Sequence, residues 1–322
     1  MKVYKFGGAS VNSAEAIRNV ARIVGGEHNE RLIVVVSAMG KMTNALEKVV
    51  PGCCNEEQRK QQIENIRCYH TTLVKDRFHA DTAMISVVMA SLDEYIASLE
   101  REASKTPTDY NTDYDSIVAY GELISTMIVS HYLHSARIEN SWVDIRQFIK
   151  TDSTHRDARI DWEATSKAIE ENQDKWQAVV VTQGFIAGGS DGRTTTLGRE
   201  GSDFSAAILA HVLDAESVTI WKDVPGFLNA DPKHFANTVK INHLPYNEAI
   251  ELSYYGASVI HPKTVKPLQN RLIPLYIKSF ITPSAEGSMV GDFVQIEPVV
   301  PLYIVRPHQV LLSITPKDFS FI

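Results

Sequence analysis

Cysteine is scarce in this chain, with three in 322 residues. That is too few for a disulfide framework, and Cys53 and Cys54 are adjacent, a poor spacing for pairing or for metal. The eleven histidines have no HExxH or CxxC companion, so the sequence carries no metal motif. Long apolar runs are also missing. The longest clean one near the start is Leu32–Val36, far short of a membrane span, and residues 1–10 lack the apolar stretch of a secretory signal. No membrane partner is expected. Basic charge is in deficit: a formal net charge of −7 argues against nucleic acid as a partner, while leaving room for a local cationic site. A cytoplasmic protein is the expectation. Neither GxGxxG nor GxxxxGK[ST] occurs, so dinucleotide binding and a Walker loop are unsupported.

What is present is an ordinary globular composition, 44% hydrophobic and 22% charged, in a chain long enough for one large domain or two lobes. The stretch 194–205 organises the rest. It reads Thr194-Thr195-Thr196-Leu197-Gly198-Arg199-Glu200-Gly201-Ser202-Asp203-Phe204-Ser205 and leads into a mostly apolar run, 206–213. Gly198 and Gly201 permit a tight turn and close approach to a ligand. Arg199 offers a planar fork suited to carboxylate or phosphate. Ser202 and Asp203 fall where a helix should begin, with unpaired N–H groups and a positive dipole end directed at the loop.

The segment 1–6 predicts a short strand carrying Lys5, broken by Gly7-Gly8 and Ala9-Ser10, before a helix with Ala16, Ile17, Val20, Ile23 and Val24 on one face. Strand, glycine turn and helix is an arrangement that cradles phosphate, although Lys5 alone reads as well as a surface lysine. Leu32–Val36 predicts a strand buried on both faces, ending in the polar loop 37–44 with Ser37 and Thr43. Residues 51–104 read as helical packing. A further helix over 113–132 holds Gly121-Glu122. There Glu122, among apolar neighbours, is either an exposed helix glutamate or a carboxylate that needs a partner. Strands are expected at 141–150, 178–183, 217–221 and 275–279, helices at 162–171 and 246–255, and a Pro/Gly/Asp-rich loop at 222–233. The alternation predicts an α/β fold with a mainly parallel sheet, and loops at strand ends are the expected ligand positions.

Taken together, Lys5-Phe6-Gly7-Gly8, residues 37–44, Gly121-Glu122, Thr195-Thr196-Leu197-Gly198-Arg199 with Gly201-Ser202-Asp203, residues 221–233 and residues 256–262 resemble aspartate kinase, within the amino-acid-kinase superfamily, most nearly the lysine-sensitive type. The resemblance covers roughly residues 1–295. It implies a three-layer αβα fold over 1–298, with an amino-acid lobe over about 1–200 and a nucleotide lobe over about 201–298. It also implies a linker and the first strand of an incomplete regulatory ACT domain over 299–322. The implied reaction is ATP plus L-aspartate giving ADP and 4-phospho-L-aspartate, with Mg²⁺, the first step toward lysine, threonine and methionine.

The roles carried over are these. Lys5 stabilises the transferring phosphoryl group, and Asp203 orients Lys5 or hydrated Mg²⁺ without being a direct metal ligand. Glu122 pairs with the substrate ammonium and Arg199 clamps its α-carboxylate, with Ser37, Thr43, Phe185 and Ser202 completing the acceptor site. Gly7, Gly8, Ser10, Lys222, Asp223, Leu228, Lys233 and Ser258 fall where the family meets nucleotide. The chain departs from the family at Ala9 and Lys222, where threonine is usual, and at Ser258, where lysine is common. Another small-acid kinase of the same fold, a silent ligand-binding protein, and the kinase part of a bifunctional aspartokinase–homoserine dehydrogenase remain as alternatives. The β-prone tail around 310–314 invites self-association, as in a homodimer, or docking on the protein's own surface.

Overall fold

The computed structural model describes residues 1–27, 30–78, 81–256, 259–306, 308–310 and 313. It opens with β1 (Lys2–Phe6), α1 (Ala14–Gly25) and β2 (Leu32–Val36). The helical stretch is α2 (Met42–Glu47), α3 (Glu56–Phe78), α4 (Thr82–Ala103) and α5 (Tyr110–Ser135). Then come β3 (Asn140–Val143), β4 (Lys150–Thr151), α6 (Trp162–Glu170), β5 (Val179–Gln183), β6 (Ile186–Gly189) and β7 (Thr194–Thr196). The remainder is α7 (Gly201–Val212), β8 (Ser217–Lys222), β9 (Phe227–Leu228), β10 (Lys240–Ile241), β11 (His243–Pro245), α8 (Tyr246–Tyr255), α9 (Pro262–Gln269), β12 (Leu275–Ser279) and β13 (Ser288–Gly291).

Eight strands form one sheet in the order β11-β13-β12-β8-β1-β2-β5-β3. It is parallel throughout except between β12 and β13. Successive side chains leave a strand on opposite faces, and both faces here are apolar, as expected of strands covered on two sides. Tyr4, Phe6, Val34 and Val36 enter one core with α1, α3, α4 and α5. Val3, Ile33, Val35, Val218 and Ile220 enter the other with α7 and α9. These are the three layers. Helix α4 is long and apolar enough to cross a membrane by length and composition, but its stripe of Val88, Leu92, Ile96 and Leu99 is fully buried in the first core.

Helix starts follow local chemistry. Ser13, Asp81, Asp109 and Asp161 each accept an otherwise unpaired backbone N–H at the head of their helix. Three expectations need correction. The strand read over 141–150 stops at Val143, because the Asp144 side chain accepts the Arg146 N–H and Ile145 donates to Gln183 Oε1, closing a 3₁₀ turn. Residues 194–196, read as part of a loop, form β7, which pairs antiparallel with β6 in a small sheet completed by β4. Within the loop read over 222–233, Phe227 and Leu228 pair with Ile241 and Lys240. The strand expected in the tail lies mostly outside the described residues. Before it, residues 299–306 run without regular structure, held where Tyr303 N–H donates to the Asn229 carbonyl at 2.8 Å and Arg306 to that of Tyr254 at 3.3 Å.

Candidate active site

The loops after β1, β2 and β5 and the head of α7 converge at the carboxyl ends of the central strands, where open α/β sheets hold ligands. Gly8 is required there. A Cβ on it would stand 2.5 Å from the Ala38 carbonyl and 2.8 Å from that of Gly40, and its own carbonyl accepts the Gly40 N–H at 3.0 Å. The first and second loops are thus locked against each other. Gly184 does the same for the third, since a Cβ would lie 2.5 Å from Ser202 Cβ.

Lys5, near the end of β1, places its ammonium 2.6 Å from Asp203 Oδ1, and Lys222, at the end of neighbouring β8, stands 3.4 Å from Oδ2. Asp203 lies in the first turn of α7 and is fully buried. Burial pushes its carboxyl up, but the two lysines outweigh this and hold it below the usual carboxylate range. Lys222 also donates to the Val259 carbonyl. Glu200, in the left-handed conformation at the N-cap of α7, is 3.9 Å from Lys222. Burial and the adjacent Asp203 raise its pKa.

Glu122, on α5, is 2% exposed. Its Oε1 accepts the Ala38 N–H at 3.2 Å, while Oε2 is buried and unpartnered. Burial lifts its pKa to about 8, and the Ala38 hydrogen bond and the Lys5 charge oppose the rise only in part. A buried acceptor with nothing to accept is an unfinished interaction. Next to it, Ser125 donates to the Ser37 carbonyl at 2.7 Å, tying α5 to the second loop.

Lys5 and Glu122 both line a cavity of about 280 Å³, while Asp203 lies behind its wall, next to Ser202. Seven of its lining residues were expected from the sequence: Lys5, Gly8, Ser37, Thr43, Glu122, Phe185 and Ser202. Ala38, Gly40, Gly198, Glu200 and Gly201 complete the wall. Larger clefts of about 830 and 730 Å³ lie elsewhere; neither is lined by Lys5 or Glu122. Gly7 and buried Ser10 lie in the turn after β1. Arg199 is exposed on the turn between Gly198 and Glu200 and does not line the cavity, though its charge helps depress His261. Asp223 and Lys233 are exposed, and Leu228 is half-buried on β9. Ser258 lies outside the described residues. Glu200 was missed from sequence; the signal available was its place between Gly198 and Gly201. Among the described residues no group of three or more His, Cys, Asp or Glu gathers as a metal site.

Comparison with known proteins identifies the family. The amino acid kinase family model matches residues 1–279. Lysine-sensitive aspartokinase 3 of Escherichia coli is 33% identical over 314 residues, covering 97% of this chain and 69% of the relative. The chloroplastic bifunctional aspartokinase/homoserine dehydrogenase 1 of Zea mays is 33% identical over 307 residues, and this chain spans only 32% of its length. The crystal structure of E. coli aspartokinase III with aspartate and ADP superposes with a TM-score of 0.83 at 30% identity, covering 92% of this chain and 65% of that one. The chain belongs to the amino acid kinase family, and its kinship there is with the aspartokinases.

Proposed function

We propose that this chain is an aspartate kinase, transferring the γ-phosphoryl group of ATP to the β-carboxylate of L-aspartate. The observation that carries the reading is one cavity lined both by Lys5, ion-paired with Asp203, and by Glu122, whose Oε2 has no partner. An aspartate ammonium would complete the second, leaving the acceptor's far end toward the first. The nucleophile is a carboxylate already ionised at neutral pH, so no general base is needed; catalysis consists of positioning and of neutralising charge on the transferring group. Lys5 supplies that charge in this reading and Asp203 holds it in place. Ser37, Thr43, Phe185 and Ser202 shape the acceptor site, and Arg199, exposed outside the cavity in this structure, would turn inward to meet the α-carboxylate.

The nucleotide would lie toward the end of β8, over Gly7, Gly8, Ser10, Lys222, Asp223, Leu228 and Lys233. Lys222 stands close enough to Asp203 to supply a second cation there. Mg²⁺ would arrive on the nucleotide's phosphates, with Asp203 the carboxylate nearest its water shell.

The test is a panel of small acids with ATP and Mg²⁺, coupled to ADP release. L-Aspartate should be turned over, and acids lacking a free α-ammonium should not. Absence of ADP release with aspartate overturns the reading. In the same assay Lys5→Ala is expected to lose roughly 10²–10³-fold or more in turnover. It leaves Asp203 with Lys222 as its remaining partner, so the variant should fold with a lowered Tm.

A further inference from the structure

Asp115 lies on α5 seven residues before Glu122, about two helical turns and roughly 10 Å away along the axis. It is fully buried and receives four donors, all from outside its own helix. Thr196 gives its backbone N–H at 3.0 Å and its hydroxyl at 2.6 Å. Arg156 gives its N–H at 2.9 Å, and the His155 ring approaches through Nδ1 at 3.0 Å. A buried carboxylate is costly unless so satisfied, and this one draws two other segments, residues 155–156 and the end of β7, onto α5 to achieve it.

One of those segments leads directly into the wall of the candidate site, and the other packs on it. Thr196 closes β7, two residues before Gly198 of the cavity wall. Its carbonyl accepts the Ala158 N–H at 3.0 Å, and the next residue, Leu197, donates to the carbonyl of Phe185 at 2.9 Å. Residue 157 packs so closely on the following turn that a Cβ at Gly198 would stand 2.6 Å from Asp157 Oδ1. Arg156 in turn lies 4.3 Å over the Tyr114 ring, on the residue preceding Asp115. Helix α5, the 155–158 loop and the turn carrying Arg199 therefore meet at one carboxylate.

We propose that Asp115 is a positioning residue for the acceptor half of the site. It fixes the separation between Glu122, which faces the acceptor's ammonium, and the 198–201 turn, whose Arg199 faces its α-carboxylate. The assignment of those two roles rests on the aspartate-kinase reading; the mechanical tie does not. Asp115→Ala strips all four donors of their acceptor. Asp115→Asn keeps an acceptor oxygen, and Thr196→Val removes only the hydroxyl contact.

The experiment combines kinetics with amide hydrogen exchange of the free protein. Asp115→Ala should raise the aspartate KM on the order of ten-fold or more with the ATP KM within about two-fold, a split that general destabilisation does not produce. Exchange should quicken at 155–158 and 194–201 and stay unchanged in β1 and β8. Thr196→Val should move both readings in the same direction by less, keeping the test available where Asp115→Ala does not fold, and Asp115→Asn should recover most of the wild-type behaviour. Equal rises in both KM values with faster exchange throughout overturn the proposal, as does an unchanged local exchange pattern. Because exchange needs no substrate, a wild type inactive on aspartate would sink the functional reading and leave this one decided by the amides.

Discussion

At the scale of single residues, Glu122 makes the sharpest prediction, because its burial has opposite consequences for stability and for binding. Its folded pKa of about 8 lies above the ordinary glutamate value of 4.5, so between those values the native state holds a proton that the unfolded chain has released. A carboxyl with a raised folded pKa stabilises least at high pH: its contribution is intact below about pH 4.5 and declines as pH climbs toward 8. The full loss is on the order of a few kcal/mol. Glu122→Gln removes this dependence while keeping the shape. The Tm of the glutamine variant relative to wild type should therefore rise steadily from pH 5 to pH 8; a flat difference would mean that Glu122 is ionised throughout. An ammonium seated against Oε2 would favour the charged form. Aspartate binding near pH 7 should then release a proton, seen by calorimetry in buffers of different ionisation enthalpy and absent in the variant.

Among the elements, the head of α7 has least room to move. Its first turn carries Ser202 and Asp203, and Gly184, following β5, lies against it with no space for a methyl. Phe185 N–H also donates to Ser205 Oγ at 2.9 Å, one turn further along. Gly184→Ala should push α7 away from the loop, and a displacement of about 1 Å at reacting groups can cost on the order of 10²-fold. We expect a fall in kcat well beyond the fall in Tm; a variant with near-normal turnover would show that the loop yields and the helix stays.

These elements were legible because each is announced by a change of pattern. Apolar runs ending in Gly7-Gly8, Ser37-Ala38 and Gly184-Phe185 read as strand ends with functional loops, and Gly8, Ser37, Ala38, Gly40, Thr43 and Phe185 of the cavity come from them. What escaped depends on distant partners. The stop at Val143 requires Gln183, 38 residues away from Ile145, and β7 is a strand only because β6 lies beside it. Asp115 looked like any polar helix residue until Thr196, 81 positions later, came to rest on it. Arg199 was identifiable as a donor fork, but its exposure is set by the backbone of Gly198 and Glu200, both with positive φ, which its own side chain does not reveal.

For the whole molecule, the question is whether residues 1–200 and 201–298 behave as separable lobes. The division remains a proposal, and the sheet sets what it can mean. Strand β1, the first in sequence, lies between β2 and β8, pairing in register with Leu32–Val36 on one side and with residues 217–221 on the other. Among the described residues, the pairing between the two halves of the large sheet is that of β1 with β8, at its centre. Helix α7 adds to it, since Ala206, Ala207 and Ala210 share a core with Val3 and Val35 as well as with Val218. On the opposite face, Phe6 stacks on Trp221 with centroids 6.1 Å apart. Neither half can lose its order without exposing the inner surface of the other, so the described core should melt as one unit. Trp142 on β3 and Trp221 on β8 report from opposite sides of β1. Two variants, each retaining one of these with the other tryptophans changed to Phe, should give the same unfolding midpoint once each is referred to its own far-UV transition. Val3→Ala, at a fully buried position of the shared strand, should cost on the order of 2 kcal/mol and lower both reporters together. A Trp221 transition separated from that of Trp142, or a Val3→Ala effect confined to one of them, would show two lobes that fold independently despite the common sheet.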